Sequence, residues 1–115
     1  MKTIRSAAAL LFALSAAAAF AAPAGEVASG SGKIFSGDNY MVVKKDMKSG
    51  ETIKPHNHKG FKTLIFAVGK GRFDVTLNQH EKHRVGAGEV LRFGGSDVIE
   101  AVAEEDASVA ITLIK

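Results

Sequence analysis

The chain has 115 residues, carries 15 Lys and Arg against 12 Asp and Glu, and contains no cysteine. Disulfide bonds, thiol chemistry and cysteine metal sites are therefore excluded, and a domain of this size has to be stabilised by its core, by oligomerisation or by both. The basic residues are scattered along the sequence and are not interleaved with aromatic residues, which argues against a nucleic-acid partner.

The N-terminal segment has the composition of a secretory signal peptide. Lys2 and Arg5 precede a run over residues 7–20 that consists almost wholly of Ala, Leu and Phe. This run is short of the about 20 apolar residues that a membrane-spanning helix needs. Small residues ending at Ala21 predict cleavage after that residue. We therefore expect residues 1–21 to be a signal peptide, and the mature protein to be periplasmic or secreted without stable membrane insertion.

The mature chain consists of short apolar or alternating segments that are separated by turn residues. Residues 22–32 are rich in Ala, Gly and Ser and predict a flexible lead-in, so the folded domain is expected over residues 33–115. Strands are predicted at residues 33–35, 39–47, 52–58, 61–68, 72–77, 83–85, 90–93, 98–103 and 108–114. No stretch keeps a helical apolar period for three turns. The pattern thus predicts one all-β domain, an antiparallel sandwich or barrel.

The strongest functional candidates lie in the segment Lys54-Pro55-His56-Asn57-His58. Pro55 fixes its own backbone torsion and favours an extended chain before it, at a strand start or a sheet edge. In a strand, alternate side chains share a face, so His56 and His58 are expected within reach of one ion or ligand. Imidazole is the commonest metal-binding side chain, which makes this pair a candidate site.

The spacing around the histidine pair resembles the first motif of the cupin superfamily, Gly-x5-His-x-His-x3-Glu-x6-Gly. Gly50, His56, His58 and Gly69 match its fixed positions, and Lys62 stands at the glutamate position. The resemblance implies a double-stranded β-helix, which is a cupin-like jelly-roll barrel, over nearly all of the mature chain. It also implies a homodimer, because cupins commonly pair through their sheets.

The second cupin motif, Gly-x5-Pro-x-Gly-x2-His-x3-Asn, is matched poorly. When it is laid from Gly88, Gly94 stands at the proline, Ser96 at the glycine, Ile99 at the histidine and Ala103 at the asparagine. The resemblance therefore implies the scaffold with only half of the metal ligands. We expect Ile99 and other apolar groups to close the far side of the barrel.

Lys62 leaves two interpretations open. If its ammonium points inward beside His56 and His58, the pocket is cationic and suits a small anionic ligand. If Lys62 reaches the rim instead, the histidines can hold a divalent metal ion, such as zinc, copper, iron, manganese or nickel, with solvent or a partner chain completing the shell. A third interpretation gives the histidine pair no chemical role.

These observations predict an exported small binding protein that holds a small ligand, which is anionic in one interpretation, or a metal ion in the barrel through His56 and His58, with Lys62 at the ligand. Two alternatives remain: a metal-dependent cupin enzyme of the dioxygenase or isomerase type, and a structural, partner-binding module with a vestigial site. A second pair, His80 and His83, is interpreted as part of a solvated hairpin tip, since strand alternation puts the two side chains on opposite faces.

Overall fold

The computed structural model describes residues 23–115, which form antiparallel strands and contain no helix. In chain order the strands are β1 (Gly32–Ser36), β2 (Tyr40–Met47), β3 (Thr52–His56), β4 (Thr63–Lys70), β5 (Arg72–Leu77), β6 (Glu81–Gly86), β7 (Val90–Gly94), β8 (Ile99–Ala103) and β9 (Ala107–Ile114). The predicted signal peptide, residues 1–21, lies outside the described residues. Within residues 23–115 there is no helix that could cross a membrane.

The strands form two sheets that face each other. One sheet has the order β1-β2-β9-β4-β7 and the other has the order β3-β8-β5-β6. From β2 to β5, and again from β6 to β9, each strand of the chain lies in the sheet opposite to the strand before it. This alternation is the winding of a double-stranded β-helix, so the predicted jelly-roll barrel is confirmed and other sandwich topologies are excluded.

Inward-facing apolar side chains of both sheets form the core. Strict alternation along β5 buries Phe73, Val75 and Leu77, as its sequence predicts, and β4 contributes Leu64 and Phe66 from the opposite sheet. The rings of Phe66 and Phe73 meet edge to face with their centroids 5.3 Å apart. Burial of each such side chain stabilises the fold by roughly 1.5–3 kcal/mol. All buried side chains in residues 23–115 are apolar, and they form one cluster.

The strand boundaries differ from the prediction around the histidines. The extended segment was predicted to continue through His58 and the next strand to begin at Phe61, but β3 ends at His56 and β4 begins at Thr63. The backbone N–H of Phe61 donates to the carbonyl oxygen of His58 over 2.9 Å and closes a turn between the two strands. A chain folded into this turn cannot also continue a strand ladder, which explains the shorter β3 and the later start of β4.

Candidate functional site

His56 is held at the end of β3, where its backbone lies opposite Ile99 of β8. The β3–β8 register is irregular between Ile53 and His56, and Pro55, which has no N–H to donate to the ladder, lies in this interval. The Nδ1 atom of His56 is 2.7 Å from the carbonyl oxygen of Lys54. Because a carbonyl oxygen only accepts hydrogen bonds, Nδ1 carries the proton, and the Nε2 lone pair remains free for a ligand.

His58 lies beyond the strand, in the turn that follows it. Its backbone N–H donates to the carbonyl oxygen of Gly95 over 2.8 Å. The rings of His56 and His58 nevertheless meet, with their centroids 4.7 Å apart and their planes at 82°. The structure therefore brings the predicted pair together, but it does so through the turn and its anchor on Gly95 and not through strand alternation.

The turn after β7 supports His58 and requires a glycine. A Cβ at residue 95 would clash with the carbonyl oxygens of Phe61 and His58, so only glycine allows the two backbones to approach this closely. The same turn is closed by Asp97, whose carboxylate accepts hydrogen bonds from the Gly94 N–H at 2.8 Å and from the Asn78 side chain at 3.0 Å. These two bonds, the Asn78 bond first, lower the pKa of Asp97.

Gly94 and Gly95 belong to the stretch laid on the second cupin motif, where Gly94 stands at the proline position. The stretch that matches the second cupin motif poorly thus supplies the backbone carbonyl that anchors His58. The local sequence carried no signal of this role, since the contact joins two turns that are far apart in the chain.

A cavity of about 180 Å³ opens between the sheets beside the histidine pair. Its walls are apolar side chains from both sheets, and its polar lining consists of Lys45, His56 and His58. Ile99 forms part of the wall and is 4% exposed, as expected for the apolar far side of the barrel. No Asp or Glu of the described chain lines this cavity. All three polar groups at the cavity are therefore basic.

A wide groove of about 1050 Å³ between β1–β2 and β3 adjoins the cavity. Both spaces are lined by Lys45, His56 and His58, together with Val43 and Ile53. The three basic residues consequently lie at the passage between the groove and the cavity. We call this place the basic mouth, defined by Lys45, His56 and His58.

The lysine at the basic mouth is Lys45 and not Lys62. Lys62 is exposed and lines neither the cavity nor the groove. Its backbone N–H donates to the carbonyl oxygen of Ile114, and its carbonyl oxygen accepts from the N–H of Gly95. This location agrees with the rim interpretation of Lys62. Lys45 follows Met41 and Val43 on the inner face of β2, so strand alternation predicts its inward face but not its place beside the histidines.

The electrostatic environment of the pair differs between its members. Partial burial, and then the positive charge of a protonated His56, lower the pKa of His58 from 6.5. His58 is therefore neutral at pH 7. The permanent positive charge of the basic mouth comes from Lys45.

The donors present do not fit the metal centre that the cupin resemblance implies. Among residues 23–115, no group of three or more His, Cys, Asp or Glu side chains is arranged to hold a metal ion. A catalytic zinc takes three protein ligands, and non-haem iron takes two histidines and a carboxylate. His56 and His58 supply two donors, Ile99 supplies none, and the ammonium of Lys45 opposes a second cation.

The second histidine pair lies apart from this site. His80 lies in the β5–β6 turn with Nδ1 at 2.7 Å from the carbonyl oxygen of Asn78. His83 lies on β6 with Nε2 at 2.6 Å from a carboxylate oxygen of Glu81. Each ring has its own partner near the protein surface, which agrees with the interpretation as a polar hairpin tip.

Comparison with known proteins identifies the fold. No protein-family model matches the sequence, and no curated protein matches it at a significant level. Solved structures do match. An RmlC-like cupin protein from Desulfovibrio desulfuricans superimposes with a TM-score of 0.68 and 20% identity, over 74% of this chain and 80% of that one.

Two further structures give the same result. KdgF from a Halomonas species has a TM-score of 0.65 and 26% identity, over 71% of this chain and 75% of that one. A Klebsiella pneumoniae protein with a double-stranded β-helix domain has a TM-score of 0.66 and 15% identity, over 73% and 74% of the two chains. This protein therefore has the double-stranded β-helix fold of the cupin superfamily, in agreement with its first motif.

Proposed function

We propose that this protein is a binding protein that holds a small organic ligand in the barrel cavity, with the polar end of the ligand at His56 and His58. The observation that carries this proposal is the composition of the cavity, which has apolar walls and a polar lining made only of Lys45, His56 and His58. Concave apolar sites with a few convergent polar groups are typical of small-molecule binding.

The geometry of the histidines supports a ligand at this point. The hydrogen bond from His56 Nδ1 to the Lys54 carbonyl oxygen fixes the ring tautomer, so Nε2 is preorganised towards a partner. The hydrogen bond from the His58 N–H to the Gly95 carbonyl oxygen fixes the backbone of His58. Preorganised groups lose less conformational entropy when a ligand binds, which favours binding over a purely vestigial role.

Export and self-association are part of this proposal. The pattern of residues 1–21 supports a signal peptide and a periplasmic or secreted location.

The outer face of the five-stranded sheet carries a cross-strand row of Phe35, Val42, Thr112 and Ile65. On the same face Val90 is 60% exposed.

A second copy of the chain is the partner that we propose for this outer face. Three strands of eight residues, each about 27 Å long, and two strands of five residues, each about 17 Å long, lie about 4.8 Å apart and present roughly 550 Å². This area is close to the ~600 Å² that each partner buries in the smaller stable interfaces. Sedimentation should give a dimer for the wild type and a monomer for Ile65→Lys. The control is Val102→Lys, on the exposed face of β8, and a dimer that survives Ile65→Lys would exclude this interface.

The test of the binding function uses protein purified without an affinity tag from its own host. Native mass spectrometry is expected to detect a bound small molecule on the wild type and to lose it in the His56→Ala/His58→Ala variant. The matched control is His80→Ala/His83→Ala, which should keep the ligand because those rings lie apart from the cavity. Equal occupancy in both double variants would contradict a site at His56 and His58.

A further inference from the structure

We infer that the ligand is a monocarboxylate with an apolar body about as large as one benzene ring, and that Lys45 binds its carboxylate. This inference rests on the proposed function and adds the chemical class of the ligand. It depends on three features. Lys45 has no acidic partner among the described residues, the nearby carboxylates already bind other groups, and the apolar cavity has a limited size.

The ammonium of Lys45 has no acidic partner within the described part of the chain. The backbone of Lys45 lies opposite the buried Val109, and its side chain lines both the cavity and the groove. The ion pairs formed by residues 23–115 involve other basic groups, and the neighbouring Lys44 pairs with Asp46 at 3.7 Å. A lysine beside an apolar cavity without a carboxylate is available for an anion from outside.

Two carboxylates line the outer groove, and both are already engaged. Asp46 accepts a hydrogen bond from the Ser31 hydroxyl at 3.1 Å and pairs with Lys44. Glu51 accepts from the backbone N–H of Lys48 at 2.9 Å. Neither lines the inner cavity. The charge next to the cavity is therefore positive, which selects against a ligand cation and favours an anion.

The apolar interior limits the body of the ligand. Cavities of about 150 Å³ lined by Leu, Ile and Phe accept benzene, and this cavity has about 180 Å³ with Leu64, Phe66, Phe93 and Ile99 in its wall. A ring or a branched chain of similar size would fill it. A second charged or strongly polar group on that body would be buried without a partner, which costs binding energy. One carboxylate on an apolar body is thus the best fit.

The carboxylate is expected to remain at the passage and not to enter the barrel. At the passage it meets the Lys45 ammonium, and it stays in contact with water in the groove, so that it is never fully desolvated. His58 can donate one further hydrogen bond from its neutral ring. Because the attraction is to the Lys45 ammonium, it does not depend on protonation of either histidine.

Isothermal titration calorimetry with benzoate, its neutral isostere benzamide, and benzene tests this inference on the full mature protein. Benzoate is expected to bind at least about tenfold more tightly than benzamide, as a charge-assisted bond predicts. Lys45→Gln should lower benzoate affinity about tenfold and leave benzamide affinity unchanged, whereas Lys45→Arg should keep most of it. The matched control is Lys62→Gln, which should bind like the wild type because Lys62 lines neither space.

The outcomes separate this inference from the proposed function. If benzene and benzamide bind but benzoate binds no more tightly, or if Lys45→Gln and Lys62→Gln behave alike, the carboxylate assignment is overturned and a neutral cavity ligand remains. If none of the three aromatic probes binds, both the assignment and the cavity as a binding site are overturned. Circular dichroism and the thermal unfolding midpoint should be the same for all variants, since Lys45 and Lys62 are both exposed.

Discussion

The imidazole rings of His56 and His58 lie edge to face with centroids 4.7 Å apart, although only His56 belongs to a strand. The second ring is brought to the first by the bond from the His58 backbone N–H to the Gly95 carbonyl oxygen, which joins the β3–β4 turn to the β7–β8 turn. The geometry of the site therefore depends on a turn that contributes no functional side chain. This dependence gives the first of four predictions.

Replacement of Gly95 by alanine is expected to destabilise the protein strongly. The added Cβ would meet the carbonyl oxygens of Phe61 and His58, and forced overpacking of this kind costs about 1–3 kcal/mol or more. Urea unfolding measures the change in the free energy of unfolding. Gly60→Ala, in the β3–β4 turn that packs on Gly95, is the matched control, because nothing lies within 4 Å of a Cβ there, and it should change stability by less than about 0.5 kcal/mol. Equal stability of the two variants would show that the turn does not pack on Gly95.

A third metal donor can be restored at residue 99. Ile99 lies opposite His56 in the β3–β8 register and lines the cavity, so Ile99→His should add an imidazole to the existing pair. We expect zinc to bind this variant at least about tenfold more tightly than the wild type, because structural and catalytic zinc sites need three or four protein ligands. Calorimetric zinc titration measures the affinity.

The control for this prediction is Val102→His, which adds an imidazole on the exposed face of the same strand. Elemental analysis of the untagged wild type, beside the His56→Ala/His58→Ala variant, should find sub-stoichiometric metal in both. A stoichiometric metal ion that disappears in the double variant would instead show that His56 and His58 hold a metal with donors from outside the described residues.

Stability is expected to fall as the pH decreases below about 6.5. The pKa of His58 is lowered in the folded state by burial and by His56, so the unfolded chain binds more protons than the folded one below the ordinary value of 6.5. The free energy of unfolding therefore rises with pH between the lowered pKa of His58 and 6.5. Above 6.5, His58 no longer contributes to the pH dependence.

Urea unfolding between pH 5 and pH 8 measures this dependence, in wild type and in His58→Gln. The variant should lose part of the slope below pH 6.5, while Asp97, whose lowered pKa acts in a more acidic range, leaves that window unchanged. Identical slopes in the two proteins would show that His58 titrates in the folded state as it does in the unfolded chain.

The tip of the β5–β6 hairpin offers a stabilising substitution. Asn78 and Gln79, two of the three residues between β5 and β6, have φ values of 53° and 70°, in the left-handed region that favours glycine. Gln79→Gly should relieve this conformation and raise the free energy of unfolding by about 0.5–1 kcal/mol. Asn78→Gly should instead destabilise the protein, because the Asn78 side chain bonds Val98 N–H and Asp97, each at 3.0 Å. Thermal unfolding midpoints that move in the same direction would contradict this distinction.

Local sequence patterns identified much of the fold because strand alternation is a local property. The inward side of β5 and the turns that separate the strands followed from residue order alone, and the cupin spacing of Gly50, His56, His58 and Gly69 selected the jelly roll among the possible sandwiches. His56 and His58 lie close together as predicted, but not through strand alternation, since His58 lies in a turn and not on β3.

The lysine at the site could not be assigned from the motif. The family's glutamate position drew attention to Lys62, but this residue precedes β4 and lies exposed at the rim. Lys45 is far from the motif in the sequence and reaches the histidines only because β2 and β3 belong to opposite sheets whose edges close around the cavity. Closure of a barrel is a long-range property that a spacing pattern does not contain.

The most direct test of a ligand at the basic mouth is the long-range ¹H–¹⁵N spectrum of the four histidine rings during a titration with benzoate at pH 7.5. The ring nitrogens of His56 and His58 are expected to shift together and to saturate with one affinity, while those of His80 and His83 stay fixed. Shifts that are absent from His56 and His58, or that appear equally in His80 and His83, would contradict binding at the basic mouth.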